Sequence, residues 1–153
     1  MAGLTNKFKY QVLNWVFEGQ EANVPATFFI PLYTSTTAPN PDHNVIGDME
    51  EAPAGNGYTA GGVEVTAATD FDSLTEDDSG DKATVQVVDV TWTASGGIIP
   101  GSGGDLFYAG LTDANATTAS RELYAMWSLG SDRTVSDGQE LTLQDCEIDI
   151  NES

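Results

Sequence analysis

The hydrophobic positions of the chain follow one helical period at the start and two-residue alternation for most of the rest. In "TNKFKYQVLNWVFEG", Phe8, Val12, Trp15 and Val16 fall on one stripe at helical spacing, and Leu13 and Phe17 widen it. Thr5 or Asn6 stands where an N-cap belongs, and Gly19 suits the residue just past the end. Lys7 and Lys9 lie in the first turns, the unfavourable end of the helix dipole, so acidic neighbours are expected to meet them.

After Pro25 the composition turns to β-formers. "ATFFIPLYT" puts Phe28, Ile30 and Leu32 on one parity and Phe29, Pro31 and Tyr33 on the other, a strand apolar on both faces with Pro31 marking an edge or a bulge. Residues 34–57 hold three prolines and little periodicity. Loops beyond about 12 to 15 residues usually bind or cover something, which makes this one a candidate contact arm. "YTAGGVEVTAAT" alternates at Val63 and Val65 as a half-buried strand, and "DFDSLTEDDSGDK" reads as a charged turn. "ATVQVVDVTWTA" alternates at Val85 and Val87, slips one residue, and resumes at Val88, Val90 and Trp92, the mark of a β-bulge near Val87-Val88. The glycine-rich "SGGIIPGSGGD" lets the chain cross from one sheet to another.

In "FYAGLTDANATTASRELYAMWSL" two apolar runs flank a dozen small and polar residues, and neither run has a solvent face. Parity puts Tyr124 and Trp127 on opposite sides of the second run, which rules out one sugar-stacking platform built from both. The last segment points Leu141 and Leu143 one way, slips near Gln144-Asp145, and continues with Cys146, Ile148 and Ile150. The pattern predicts a mainly β protein: an antiparallel β-sandwich over residues 21–153, with one N-terminal amphipathic helix over residues 1–20 packed on or beside it. A chain of 153 residues is the size of a single domain.

Charge narrows the function classes. Five Lys and Arg stand against 24 Asp and Glu, a formal net charge of −19, and no Lys or Arg occurs from Tyr10 through Asp81. Without a basic stripe, neither a nucleic acid nor an anionic lipid surface is an expected partner. The start lacks the apolar core and cleavage site of a secretory signal, and no stretch approaches the roughly 20 apolar residues of a membrane span. Synthesis in a cytoplasm and no membrane contact are therefore expected. Cys146 is the single cysteine, which excludes an intrachain disulfide and a cysteine zinc site.

Candidate chemistry is sparse. His43 is the sole histidine and lies in the 34–57 loop, with no Gly-x-Ser-x-Gly elbow elsewhere in the chain. Asp77, Asp78 and Asp81, around Gly80 in "TEDDSGD", are hard oxygen ligands of the kind Ca²⁺ takes, but they lack EF-hand spacing. A structural Ca²⁺ there is the one cofactor weighed; a solvated acidic turn is preferred to it. Carboxylate pairs for a glycosidase are too abundant among 24 acids to carry information.

The order of pieces resembles a known group. A short amphipathic helix precedes "LYTSTTAPN", "GNGYTAGGVEV", "LFYAGLTDA", "ELYAMWSL" and "RTVSDGQELTLQDCEIDI". This series is similar to small virion structural proteins of tailed bacteriophages, of the head-decoration (cement) or tail-fibre-like kind. The best matches are Tyr58, Gly110 through Ala114, and Arg133, Val135 and Gly138. The 34–57 loop, the glycine-rich connection and the acidity exceed the group's usual pattern. The resemblance implies a non-enzymatic subunit located in the virion, commonly a homo-oligomer, whose partners are the major capsid protein or other virion proteins. The leading expectation is a capsid decoration protein. A tail-fibre or adhesin component binding host glycans is the alternative, and a small Ca²⁺-dependent or carbohydrate-active enzyme ranks last. Doubly apolar strands then imply burial between subunits, and Phe8, Trp15, Phe17, Phe29, Tyr33, Tyr124 and Met126 are the expected interface residues.

Overall fold

A computed structural model describes residues 3–101 and 104–151. In chain order its elements begin with β1 (Gly3–Leu4), α1 (Asn6–Phe17), β2 (Thr27–Ile30), β3 (Leu32–Tyr33), β4 (Val63–Thr66) and β5 (Phe71–Asp77). They continue with β6 (Lys82–Val87), β7 (Val90–Thr93), β8 (Leu106–Thr112), β9 (Leu123–Arg133), β10 (Glu140–Leu143) and β11 (Cys146–Asn151). The chain is mainly β with one α-helix near its start, and the strand pairs are antiparallel, as the expected sandwich requires.

One sheet runs β1-β9-β8-β2-β4, with β3 also paired to β8; the facing layer consists of β11-β6-β5 and β10-β7. Those two pieces are one strand pair broken at one level, since Cys146 lies opposite Val87 and Leu143 opposite Val90. Residues 88–89 and 144–145 leave the ladder together. Asp145 adopts a left-handed φ of 53°, which Asp tolerates better than most residues, and Gln144 Nε2 donates to Asp89 Oδ2 at 3.0 Å across the break. The two phase slips in the sequence are thus a single kink. It returns Val90, Trp92 and Leu143 to the interior beside Val87, Cys146 and Ile148, where Ile30, Leu32, Leu106, Leu111 and Trp127 of the first sheet meet them.

A second irregularity decides where β9 sends its side chains. Leu111 pairs with Ala125 but Thr112 pairs with Leu123, so Tyr124 is an extra residue in β9. A bulge places successive side chains on one side of the sheet. Tyr124 therefore joins Ala125 and Trp127 in the inner core, while Leu123 and Met126 face outward. This corrects the parity expectation that separates Tyr124 from Trp127.

The outward face is covered by the chain itself. Ile46 and Met49, from the 34–57 segment, pack against Tyr33, Leu123 and Met126. The segment is stitched down by Thr34 N–H to Glu50 O (2.9 Å), Ala52 N–H to Leu32 O (2.8 Å), Ile46 N–H to Arg121 O (3.0 Å) and Leu123 N–H to Asn44 O (2.8 Å). Gly110 leaves room for this packing: a Cβ there would stand 2.9 Å from both Leu123 Cδ1 and Met126 Sδ. The expected contact arm is, over Ile46 to Ala52, a lid on its own sheet.

The acidic stretch after residue 70 also differs from its sequence reading. It is the strand β5, at the edge of its sheet, and only residues 78–81 form the turn into β6. Asp77 Oδ1 closes that turn by accepting from Ser79 N–H (3.1 Å), Ser79 Oγ–H (2.8 Å) and Gly80 N–H (3.0 Å).

Candidate functional site

The helix is fixed to the edge of the first sheet by the residue that starts it. Thr5 N–H donates to Tyr124 O at 3.0 Å, continuing the β1–β9 pairing, while Thr5 Oγ accepts from Phe8 N–H at 3.1 Å and donates to Leu123 O. One hydroxyl thus ends a strand and caps a helix. Phe8 and Trp15 lean on Tyr124 with ring centroids 5.3 and 6.1 Å away. Beside them Glu122 accepts from Lys7 Nζ at 2.8 Å and from Gln11 Nε2 at 2.6 Å. Lys7 answers to an acidic neighbour as expected. Among the described residues, Lys9 has no ion-pair partner.

That inward face leaves another uncovered. Tyr10, Leu13, Val16 and Phe17 are exposed, Phe17 by 76% of its surface, and they form a second apolar stripe at spacings of 3, 3 and 1. The helical residues include two lysines and no carboxylate, on a chain otherwise dominated by acids.

The stripe borders a groove of about 440 Å³ lined by Leu4, Phe8, Lys9, Val12, Leu13 and Ile150, among others. Ile150 also lines a second, wider groove of about 730 Å³, shared with Leu74, Glu76, Asp77, Asp78 and Asp81. Register explains the second groove. Ile150 pairs with Ala83, and Ala83 with Glu76, on the side of the sheet that carries Cys146 and Ile148 into the core further along β11. There the inner face of the second layer runs past its cover. Ile150 is 52% exposed and Leu74 80%. Leu13, Ile150 and Leu74 thus join the helix stripe and both grooves into one apolar surface.

The expected interface residues divide between this surface and the core. Phe17 is fully part of the exposed stripe, whereas Phe8 and Trp15 are half-buried against Tyr124. Phe29 is half-buried under the Arg121 guanidinium, 3.7 Å above its ring centroid, and Arg121 is itself buried with hydrogen bonds to Asn115 O and Gly61 O. Tyr33, Tyr124 and Met126 must be corrected: they are buried within the chain, the first and third by the 34–57 lid and Tyr124 by the bulge and helix, so they offer nothing to a partner. Missed from sequence were Tyr10, Leu74 and Ile150, and Leu13 and Val16, expected on the same helix stripe as Phe8 and Trp15, are exposed instead. Tyr10, Leu13 and Phe17 do form an i, i+3, i+7 pattern, and Leu74 and Phe71 are the two large apolar residues in an acidic run.

The titratable groups act as structural fasteners. Among the described residues no three His, Cys, Asp or Glu side chains converge on a point that could hold a metal, and Asp77, Asp78 and Asp81 do not come together as a ligand set. His43 lies against Asn40, whose Nδ2 is 3.2 Å from His43 Nε2. Glu51 accepts from Tyr58 O–H at 2.8 Å, and Tyr58 Oη accepts from Leu32 N–H at 3.0 Å. Burial, reinforced by the Glu51 carboxylate, pushes the Tyr58 phenol far above its ordinary pKa. Burial also raises the Asp113 carboxyl, although the backbone N–H groups of Glu122 and Asn115 oppose that shift. The Cys146 thiol is pushed up to about 12, chiefly by burial, so it packs as a neutral group. What this arrangement offers chemically is an apolar, lysine-bearing helix face beside an apolar, carboxylate-lined groove. No protein-family model matches the chain, and no curated protein matches it.

Proposed function

We propose that this chain works by contact, as a structural subunit of a tailed-phage particle, and specifically as a decoration protein that clamps neighbouring shell subunits. The observation that carries the reading is the continuous apolar surface from Phe17 and Leu13 through Ile150 to Leu74, on a domain of formal charge −19. Large exposed apolar patches mark interaction surfaces, because leaving them in water forgoes roughly 25 cal/mol for each Å² that association would bury. The resemblance of "GNGYTAGGVEV", "LFYAGLTDA" and "RTVSDGQEL" to small virion proteins supplies the setting. A shell under internal pressure gains from an external clip that adds subunit contacts and needs no chemistry.

The test is to locate the labelled chain on purified particles and to compare shells with and without it. Many copies over the head, together with heat or osmotic fragility on removal, are the expected result. Confinement to the tail tip with loss of host adsorption would move the assignment to a fibre component. Absence from particles, or turnover of a glycan by the isolated chain, would overturn the reading.

A further inference from the structure

We infer that the partner of this apolar surface is a second copy of the chain: helix α1 of each copy lies in the carboxylate-lined groove of the other, related by a two-fold axis near Ile150. The inference rests on the reading of the chain as a contact protein and names one of its contacts.

Three observations carry it. The helix face and the groove complement each other in charge, since α1 carries no carboxylate and offers Lys9, Lys7 being held by Glu122, while Glu76, Asp77, Asp78 and Asp81 line the groove against Lys82 alone. Lys82 is moreover held by Asp149 at 3.4 Å. On a chain of net charge −19, most face-to-face contacts between copies repel; this one brings Lys9 of each copy to the other's carboxylates. The two surfaces are also neighbours, because Ile150 lines both the groove beside the helix and the groove beside Leu74. Adjacent complementary surfaces are what a two-fold dimer uses, each contact occurring twice. Finally the area suffices. Tyr10, Leu13, Val16, Phe17, Leu74 and Ile150 expose on the order of 700 Å² per copy, close to the about 800 Å² per partner of a standard interface. The groove is the uncovered end of the sandwich's inner face, and an amphipathic helix from outside completes the missing layer there.

Sedimentation equilibrium of the full chain at micromolar concentration tests this, with Leu13→Asp on the helix and Leu74→Asp in the groove. Both positions are exposed, so each variant should unfold as the wild-type monomer does, checked by denaturant titration. The wild type is expected at twice the monomer mass of 16.2 kDa. Each variant alone should dimerise about 30-fold more weakly or worse. An equal mixture should bind roughly tenfold more tightly than either variant alone, because one intact helix then meets one intact groove. A monomeric wild type, or a Leu74→Asp chain that dimerises normally, overturns the inference whether or not the chain occurs on particles. Absence from particles overturns the functional reading whether or not the dimer forms, so the two failures are separable.

Discussion

Two apolar faces of this molecule meet different fates. The outward face of the first sheet, with Tyr33, Leu123 and Met126, is sealed by Ile46 and Met49 of the same chain; the outward face of α1, with Tyr10, Leu13, Val16 and Phe17, has no cover among the described residues. Each belongs to an element that is apolar on both sides, strands in the first case and a helix in the second. The difference lies in a 24-residue connection without periodicity, which supplies two large side chains at the right height and backbone hydrogen bonds to hold them. Apolarity on both sides of a strand therefore calls for a second layer without specifying whether the same chain or another provides it.

The comparison breaks most sharply at the lid. Ile46→Ala should cost about 3 kcal/mol of unfolding free energy by chemical denaturation, because it removes a side chain 2% exposed from a packed cluster. A loss below about 0.5 kcal/mol would show the lid to be loosely seated. Gly110→Ala pushes a methyl group against Leu123 and Met126, and should cost roughly 2 kcal/mol by overpacking the same cluster. On the uncovered side, Phe17→Ser should leave the monomer's unfolding free energy within about 0.5 kcal/mol of the wild type while weakening self-association in sedimentation.

The smallest effect is one of pH. The Thr84 hydroxyl, 2.7 Å from Asp149 Oδ1, is the main cause holding the Asp149 carboxyl below its ordinary value, with Lys82 adding to it. A depressed folded pKa contributes stability that is present above the unfolded pKa and lost as pH falls through the folded one. Asp149→Asn should therefore flatten part of the stability loss just below the ordinary carboxylate range and leave its neutral-pH plateau only slightly lower, as read from melts at stepped pH. An unchanged acid limb would remove Asp149 from the account.

Much of the architecture was legible in the residues. Helical spacing from Phe8 to Trp15 marked α1, with Thr5 or Asn6 as its cap, of which the structure uses Thr5, and the parity slips at Val87-Val88 and Gln144-Asp145 marked the kink, because burial on one face forces strands to keep phase unless a residue is inserted. The bulge at Tyr124 was hidden since both faces of β9 are apolar, so an inserted residue leaves no change of pattern. The lid was hidden because its anchors, Ile46 and Met49, stand with Val45 in a stretch too short and irregular to show a period. β5 was mistaken for a turn because its side chains after Phe71 mostly face water or the open groove, which removes the alternation that burial writes into a strand. The exposed apolar surface was half legible: the helix and its Phe17 were readable, while Ile150 is exposed only because the second layer runs beyond its cover, a fact of three dimensions.

Hydrogen exchange across a dilution series tests the central contrast most directly. Amides in the helix, 6–17, and in the edge strand, 71–77, should lose protection as the chain is diluted, while those of the lid, 44–52, should stay equally protected at every concentration. Protection that is independent of concentration along the whole chain, or lost first in the lid, would contradict the account.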